Sequence, residues 1–126
     1  MGLWGQMGCT VTNQTGGTIT NVSVLHQWSS YQDSPNPNPT PSLGSNDEIQ
    51  FQINVGSGGS DDWSVTFTDS SGQCWYRNGK QCDVEDSDYK SGSPVNINLL
   101  AGSQGFSIEM PSSSSCTDNS YDKCPG

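Results

Sequence analysis

Hydrophobic and polar residues alternate strictly along several stretches of the chain. Over Glu48 to Val55, Ile49, Phe51, Ile53 and Val55 hold one phase while Gln50, Gln52 and Asn54 hold the other. Period two is the signature of a strand with one buried face. Asp62 to Asp69 repeats it, with Trp63, Val65 and Phe67 against Ser64, Thr66 and Thr68. Val95, Ile97 and Leu99 define a further strand, and Phe106, Ile108 and Met110 another. Near the N-terminus, Met7, Cys9 and Val11 alternate with Gly8, Thr10 and Thr12. Thr18 to Trp28 carries Val22, Val24, His26 and Trp28 on one face. The expected core is therefore Ile49, Phe51, Ile53, Trp63, Val65, Phe67, Val95, Ile97, Leu99, Phe106 and Ile108.

The punctuation between these stretches is that of an all-β chain. Asp69-Ser70-Ser71-Gly72 reads as a turn, and Asn78-Gly79 inside Cys74 to Cys82 reads as a hairpin tip. A three-residue loop, Arg77-Asn78-Gly79, with Gly79 left-handed in a bulge, sets Cys74 opposite Cys82 and predicts a disulfide between them. Cys116 and Cys124 have the same spacing and suggest a second local bridge, leaving Cys9 free; Cys9 joined to Cys116 or Cys124 is the rival. Pro at alternate positions across Ser34 to Ser42 bars that segment from a central sheet and predicts an extended surface loop. The expectation is one antiparallel β-sandwich domain over residues 1–126, of seven or eight strands, with a small β-barrel as the alternative. The Pro-rich loop lies at 34–42, and the Ser-rich tail at 111–126 is stapled by cysteines.

Composition sharpens this picture. The chain has 126 residues, a net charge of −9 and only 29% hydrophobic residues. Ser, Thr, Asn, Gln and Gly make up half of it, and Ala101 is its single Ala, which excludes a helical bundle. Leu, Ile, Val and Phe are scarce enough for disorder to be the rival of folding. The alternation, four Trp and four Tyr decide for a thin folded core. Four Lys plus Arg against 13 Asp plus Glu exclude a phosphate-backbone partner. No apolar run approaches the length of a transmembrane helix.

Five cysteines in a chain of this kind point to disulfides and a secreted or extracellular setting. Zinc is the poorer reading, because there is no CxxC and His26 is the single His. Met1 to Gln6 carries neither the charged region nor the apolar core of a signal peptide. Synthesis without a leader, in the cytosol, and a mature chain with an added Met1 both fit. Two sequons occur, Asn13-Gln14-Thr15 and Asn21-Val22-Ser23, a number that chance also supplies in so Ser- and Asn-rich a chain.

Candidate chemistry is sparse. Ala101-Gly102-Ser103-Gln104-Gly105 is a weak variant of the nucleophile motif and sits at a turn between strands, so His26 reads as a packed core residue. No pair among Glu48, Glu85, Glu109 and the ten Asp is marked out as a glycosidase dyad. Asp83, Glu85, Asp86 and Asp88 form the densest acidic run and are the candidate calcium ligands; no other cofactor is indicated. The run lacks the Gly and terminal Glu of an EF-hand loop. Trp28, Tyr31, Trp75 and Tyr89 flank loops, near Asp61, Asp62 and Arg77. An aromatic ring stacks on the C–H face of a sugar while neutral and acidic side chains take its hydroxyls, so these seven are the candidate ligand contacts. The same rings suit insertion among lipid headgroups.

The stretch Asp61-Asp62-Trp63-Ser64-Val65-Thr66-Phe67-Thr68-Asp69, then Cys74-Trp75-Tyr76 and Lys80-Gln81-Cys82-Asp83, resembles small fungal-type β-sandwich proteins, the mushroom fruiting-body lectins and, more distantly, the aegerolysins. That resemblance implies an all-β fold and recognition of glycans or membrane lipids. The expected function is that of a non-enzymatic, lectin-like carbohydrate-binding protein. Membrane-lipid binding or cytolysis is the alternative, and a defence or structural protein with no small ligand is the second.

Overall fold

The computed structural model describes residues 2–102 and 104–125; Met1, Ser103 and Gly126 lie outside the described residues. The chain is an all-β sandwich of two packed sheets. One sheet has the order β10-β9-β8-β1-β5, built from Cys116–Asp118, Phe106–Glu109, Val95–Leu99, Leu3–Asn13 and Glu48–Gly56. The other has the order β11-β7-β6-β2-β3, from Asp122–Lys123, Cys74–Gln81, Asp61–Thr68, Ile19–Trp28 and Tyr31–Asp33. Short β4, Thr40–Leu43, also pairs with β2. A single turn of helix, α1 (Asp86–Lys90), lies in the crossover from β7 to β8.

The alternating phases become the two inner faces. Met7, Cys9, Val11, Phe51, Ile53, Val55, Val95, Ile97, Leu99, Phe106 and Ile108 come from the first sheet, and Ile19, Val22, Val24, Trp28, Trp63, Val65 and Phe67 from the second. Of the expected core, Ile49 alone is half-buried, packed against the cluster's margin. Tyr121 of the tail completes the core. It stacks on Phe106 at 5.6 Å between centroids and meets Phe67 edge-on at 5.1 Å.

Four expectations need correction. First, β1 and β8 run parallel, with Cys9 opposite Val95 and Asn13 opposite Leu99, so the first sheet is mixed. The crossover through α1 carries the chain from the second sheet to the first, and it re-enters beside β1 in the same direction. Second, Asn78-Gly79 does not end a hairpin. β7 continues through it, and the two residues stand opposite Ser64 alone as a bulge against β6. Gly79 is left-handed (φ 67°), and its N–H donates to Ser64 Oγ at 3.0 Å. Both readings placed Gly at a left-handed bulge; they differ in the strand it faces. Third, with no hairpin, Cys74 and Cys82 sit at opposite ends of one strand. Cys74 joins Cys124 and Cys82 joins Cys116, so both bridges tie β7 to the tail, while Cys9 is free and buried. Fourth, the Pro-rich segment ends in β4, where Pro41 lies on a strand that pairs on one side, with β2.

Non-reducing peptide mapping should give linked peptides for 74–124 and 82–116 and none for 74–82. Cys9 should resist thiol reagents until the chain is unfolded, because burial pushes its thiol pKa up and closes off the sulfur. Replacing Cys82 and Cys116 by Ser opens a loop of sequence separation 34 and should lower stability by about 3–4 kcal/mol in guanidinium titration.

Candidate functional site

A cleft of about 260 Å³ opens at the end of the sandwich where β1 begins, β5 ends and β6 begins. Its walls are Trp4, the Gly56–Gly59 turn, Asp61 and the segment Asp83 to Glu85. Each wall follows from local chemistry. Gly58 and Gly59 are left-handed (φ 79° and 69°), which turns β5 back into β6. Gly56 makes room for Trp28: a Cβ there would lie 2.4 Å from the indole and 2.2 Å from the Gly2 carbonyl. Trp28 Nε1 donates to the Gly58 carbonyl at 2.7 Å, pinning the turn from beneath.

Behind Asp61 lies a buried polar chain. His26 is fully buried, in phase with Val22, Val24 and Trp28; Asp61 is 3% exposed, in phase with Trp63, Val65 and Phe67. His26 Nε2 lies 2.7 Å from Asp61 Oδ2, and Nδ1 lies 3.1 Å from Asp33 Oδ2. Each ring nitrogen thus lies within hydrogen-bond reach of a carboxyl group. Asp33 also accepts the Asn54 backbone N–H and side-chain amide, both at 2.8 Å. Asp61 Oδ1 accepts the Val84 N–H at 3.0 Å. One imidazole thus joins β2, β3, β5, β6 and the loop that carries Asp83 and Glu85. The Trp63 ring lies 4.4 Å from it, centroid to centroid, and completes its apolar surround.

The acidic run divides into different roles. Asp88 is fully buried; its carboxylate accepts from the Glu85, Ser112 and Ser113 N–H groups and from Ser113 Oγ. Burial raises its pKa, but these hydrogen bonds outweigh that and hold it below the usual range. Asp86 pairs with Lys90 at 2.7 Å. Asp83 accepts the Asp61 N–H at 3.0 Å and stays exposed, as does Glu85, both on the cleft. The four proposed calcium ligands therefore do not converge, and among the described residues no group of three or more His, Cys, Asp or Glu could hold a metal ion.

The other candidates scatter. Trp28 is 2% exposed and belongs to the core, although Tyr31 stacks over it at 5.8 Å and stays accessible. Asp62 is half-buried beside the cleft, on the outer face of β6. Tyr89 packs against Trp4, with centroids 6.1 Å apart. Trp75 and Arg77 leave the site altogether. Trp75 lies near the opposite end of the sandwich, where its Nε1 donates to Asp69 at 2.8 Å. Arg77 clamps the tail through Asp118 (2.7 Å) and Asp122 (3.2 Å). The sequence reading missed Trp4, the Gly-rich turn and the role of His26. Their signals were an aromatic at the edge of the first alternating stretch, the run Gly56-Ser57-Gly58-Gly59-Ser60, and two polar residues in apolar phase.

No protein-family model and no curated protein matches the chain. Among solved structures, the NMR structure of a protein from Eubacterium rectale is similar, with a TM-score of 0.50 and 18% sequence identity over 88% of this chain and 93% of that one. The likeness is one of fold.

Replacing His26 by Ala should take the shared hydrogen-bond partner from Asp33 and Asp61 and cost about 3–5 kcal/mol in chemical denaturation. A second expectation concerns Asp69. The Trp75 indole N–H, then the Ser71 hydroxyl and the local backbone N–H groups, lower its pKa to about 2. A lowered folded-state pKa means that its contribution is complete above the ordinary 3.8 and is lost as pH falls from there to about 2. NMR titration of the Asp69 carboxyl should place its midpoint near 2, and Trp75→Phe should move it upward.

Proposed function

We propose that the chain is a non-enzymatic carbohydrate-binding protein and that sugars bind in the cleft between Trp4 and Glu85. The observation that carries this reading is the pairing of an aromatic wall, Trp4, with two exposed carboxylates, Asp83 and Glu85, across a cleft with a Gly-rich floor. An indole takes the C–H face of a sugar ring, carboxylates accept its hydroxyl protons, and a glycine turn offers backbone groups without side chains in the way. Binding rather than catalysis is supported by Asp61, the buried carboxylate of the cleft. Both its oxygens are engaged, by His26 and by the Val84 N–H, which leaves it a fixed wall. The two disulfides fit an oxidising setting, and we place the protein outside the cell.

One specific observation favours membrane-lipid binding as the second reading. Leu3 is 48% and Tyr31 37% exposed, and both border this end of the sandwich, Leu3 opposite Gly56 and Tyr31 on Trp28. Among the described residues no helix is long and apolar enough to cross a membrane.

A glycan array run beside a liposome pull-down separates the two. The expected result is an array signal competed by free sugar, lowered at least tenfold in affinity by Trp4→Ala, a loss of about 1.4 kcal/mol or more. Asp83→Asn with Glu85→Gln should weaken the same signal. Sugar-independent liposome binding lost in Leu3→Ser with Tyr31→Ser supports the lipid reading, and silence on both supports refuting both.

A further inference from the structure

The two sequons occupy opposite environments, and this sorts them. Asn13 is fully buried. Its Nδ2, the atom a glycan would take, donates to the carbonyls of Gly17 (2.8 Å), Leu43 (3.0 Å) and Gly44 (3.0 Å). Its Oδ1 accepts the Thr15 N–H at 3.0 Å and the Thr15 hydroxyl at 2.7 Å. Those contacts tie together the β1–β2 turn and the end of β4, so a sugar on Asn13 is incompatible with this fold. Asn21 is exposed. It stands in a bulge of β2, where Asn21 and Val22 face Phe67 alone between the pairs Thr20–Thr68 and Ser23–Thr66. Its left-handed backbone (φ 50°) is one that Asn tolerates better than most residues. Val22 points into the core, while Ser23 on the outer side donates to Asn38 Oδ1 at 3.1 Å.

We infer that Asn21 is an N-glycan acceptor and that Asn13 is not. The donor class is a lipid-linked oligosaccharyl diphosphate. Asn21 Nδ2 forms the new bond to the sugar C1, the C1–O bond to the diphosphate breaks, the diphosphate leaves with the electron pair, and the amide loses one proton. The compartment that forms disulfides is also the one where secreted chains meet such donors. Asn21 lies seven residues along β2 from Trp28, so a glycan there stands roughly 20 Å from the cleft at ordinary strand rise and leaves its mouth open.

The test is secretion of the full chain from a eukaryotic cell, followed by intact-mass measurement and peptide mapping after enzymatic glycan release in heavy-oxygen water. The expected result is a single glycan, with the label on residue 21 and none on residue 13. Ser23→Ala removes the sequon and leaves the Asn21 backbone untouched; it should abolish the mass shift, and the released and glycosylated proteins should show the same far-UV spectrum. A secreted, disulfide-bonded chain with no glycan, or with the label on residue 13, overturns the inference. Should Ser23→Ala fail to be secreted, the position of the label in the unaltered chain decides alone.

Discussion

The structure turns on one buried imidazole. His26 sits where four strands and a loop converge, and each of its nitrogens faces a carboxylate that also caps backbone. Burying an imidazole and two carboxyl groups costs desolvation, and the arrangement holds because each ring nitrogen and each carboxyl oxygen has a hydrogen-bond partner. Asp33 fastens the edge of β5 through Asn54, and Asp61 fastens the β7–α1 crossover through Val84. The cleft inherits its shape from this. Its buried wall, Asp61, and its acidic wall, Asp83 to Glu85, are held by the same chain of bonds, and Trp28 fixes the glycine turn beside them.

The opposite side of the second sheet depends on covalent closure. β7 is the least buried of the long strands, and β11 adds only two residues to its edge. Cys74–Cys124, Cys82–Cys116 and the Arg77 pairs with Asp118 and Asp122 supply the cohesion that burial there does not. The tail then does two things. It adds β10 and β11 to the edges of both sheets, which blunts two strands that would otherwise stay open, and it delivers Tyr121 between Phe67 and Phe106. A thin core becomes sufficient because the last residues of the chain are part of it.

The strands of the inner faces were legible because period two is a local property and the phases of Ile49 to Val55, Trp63 to Phe67 and Val95 to Leu99 are uninterrupted. Long-range pairing was not. The disulfide between Cys74 and Cys82 failed because Asn-Gly favours a left-handed Gly both at a hairpin tip and at a bulge, and the choice is made by β6, through Ser64. The expectation of antiparallel strands throughout failed at the parallel β1–β8 pair, because strand direction depends on the path of a crossover. Trp28 was read as a loop aromatic from its place at a strand end, yet its phase with Val22 and Val24 was the better guide, and it lies in the core. The same phase rule held the strongest missed clue: His26 and Asp61 each occupy an inward position of an apolar strand. A polar residue there requires a buried partner, and the two are diagonal neighbours on β2 and β6.

The acidic composition then takes on a structural meaning. The turns and crossovers between the strands leave backbone N–H groups without ladder partners, and carboxylates are strong acceptors for them. Asp33, Asp61, Asp69, Asp83 and Asp88 each accept at least one backbone N–H, several of them from distant segments. Five of the 13 acidic side chains therefore serve as scaffold for the loops. Asp83 and Glu85 are the exposed carboxylates of the run, and they line the cleft together with Trp4. Charge density along the sequence marked the region, and only the fold separates its buried carboxylate, Asp88, from the exposed ones at the cleft.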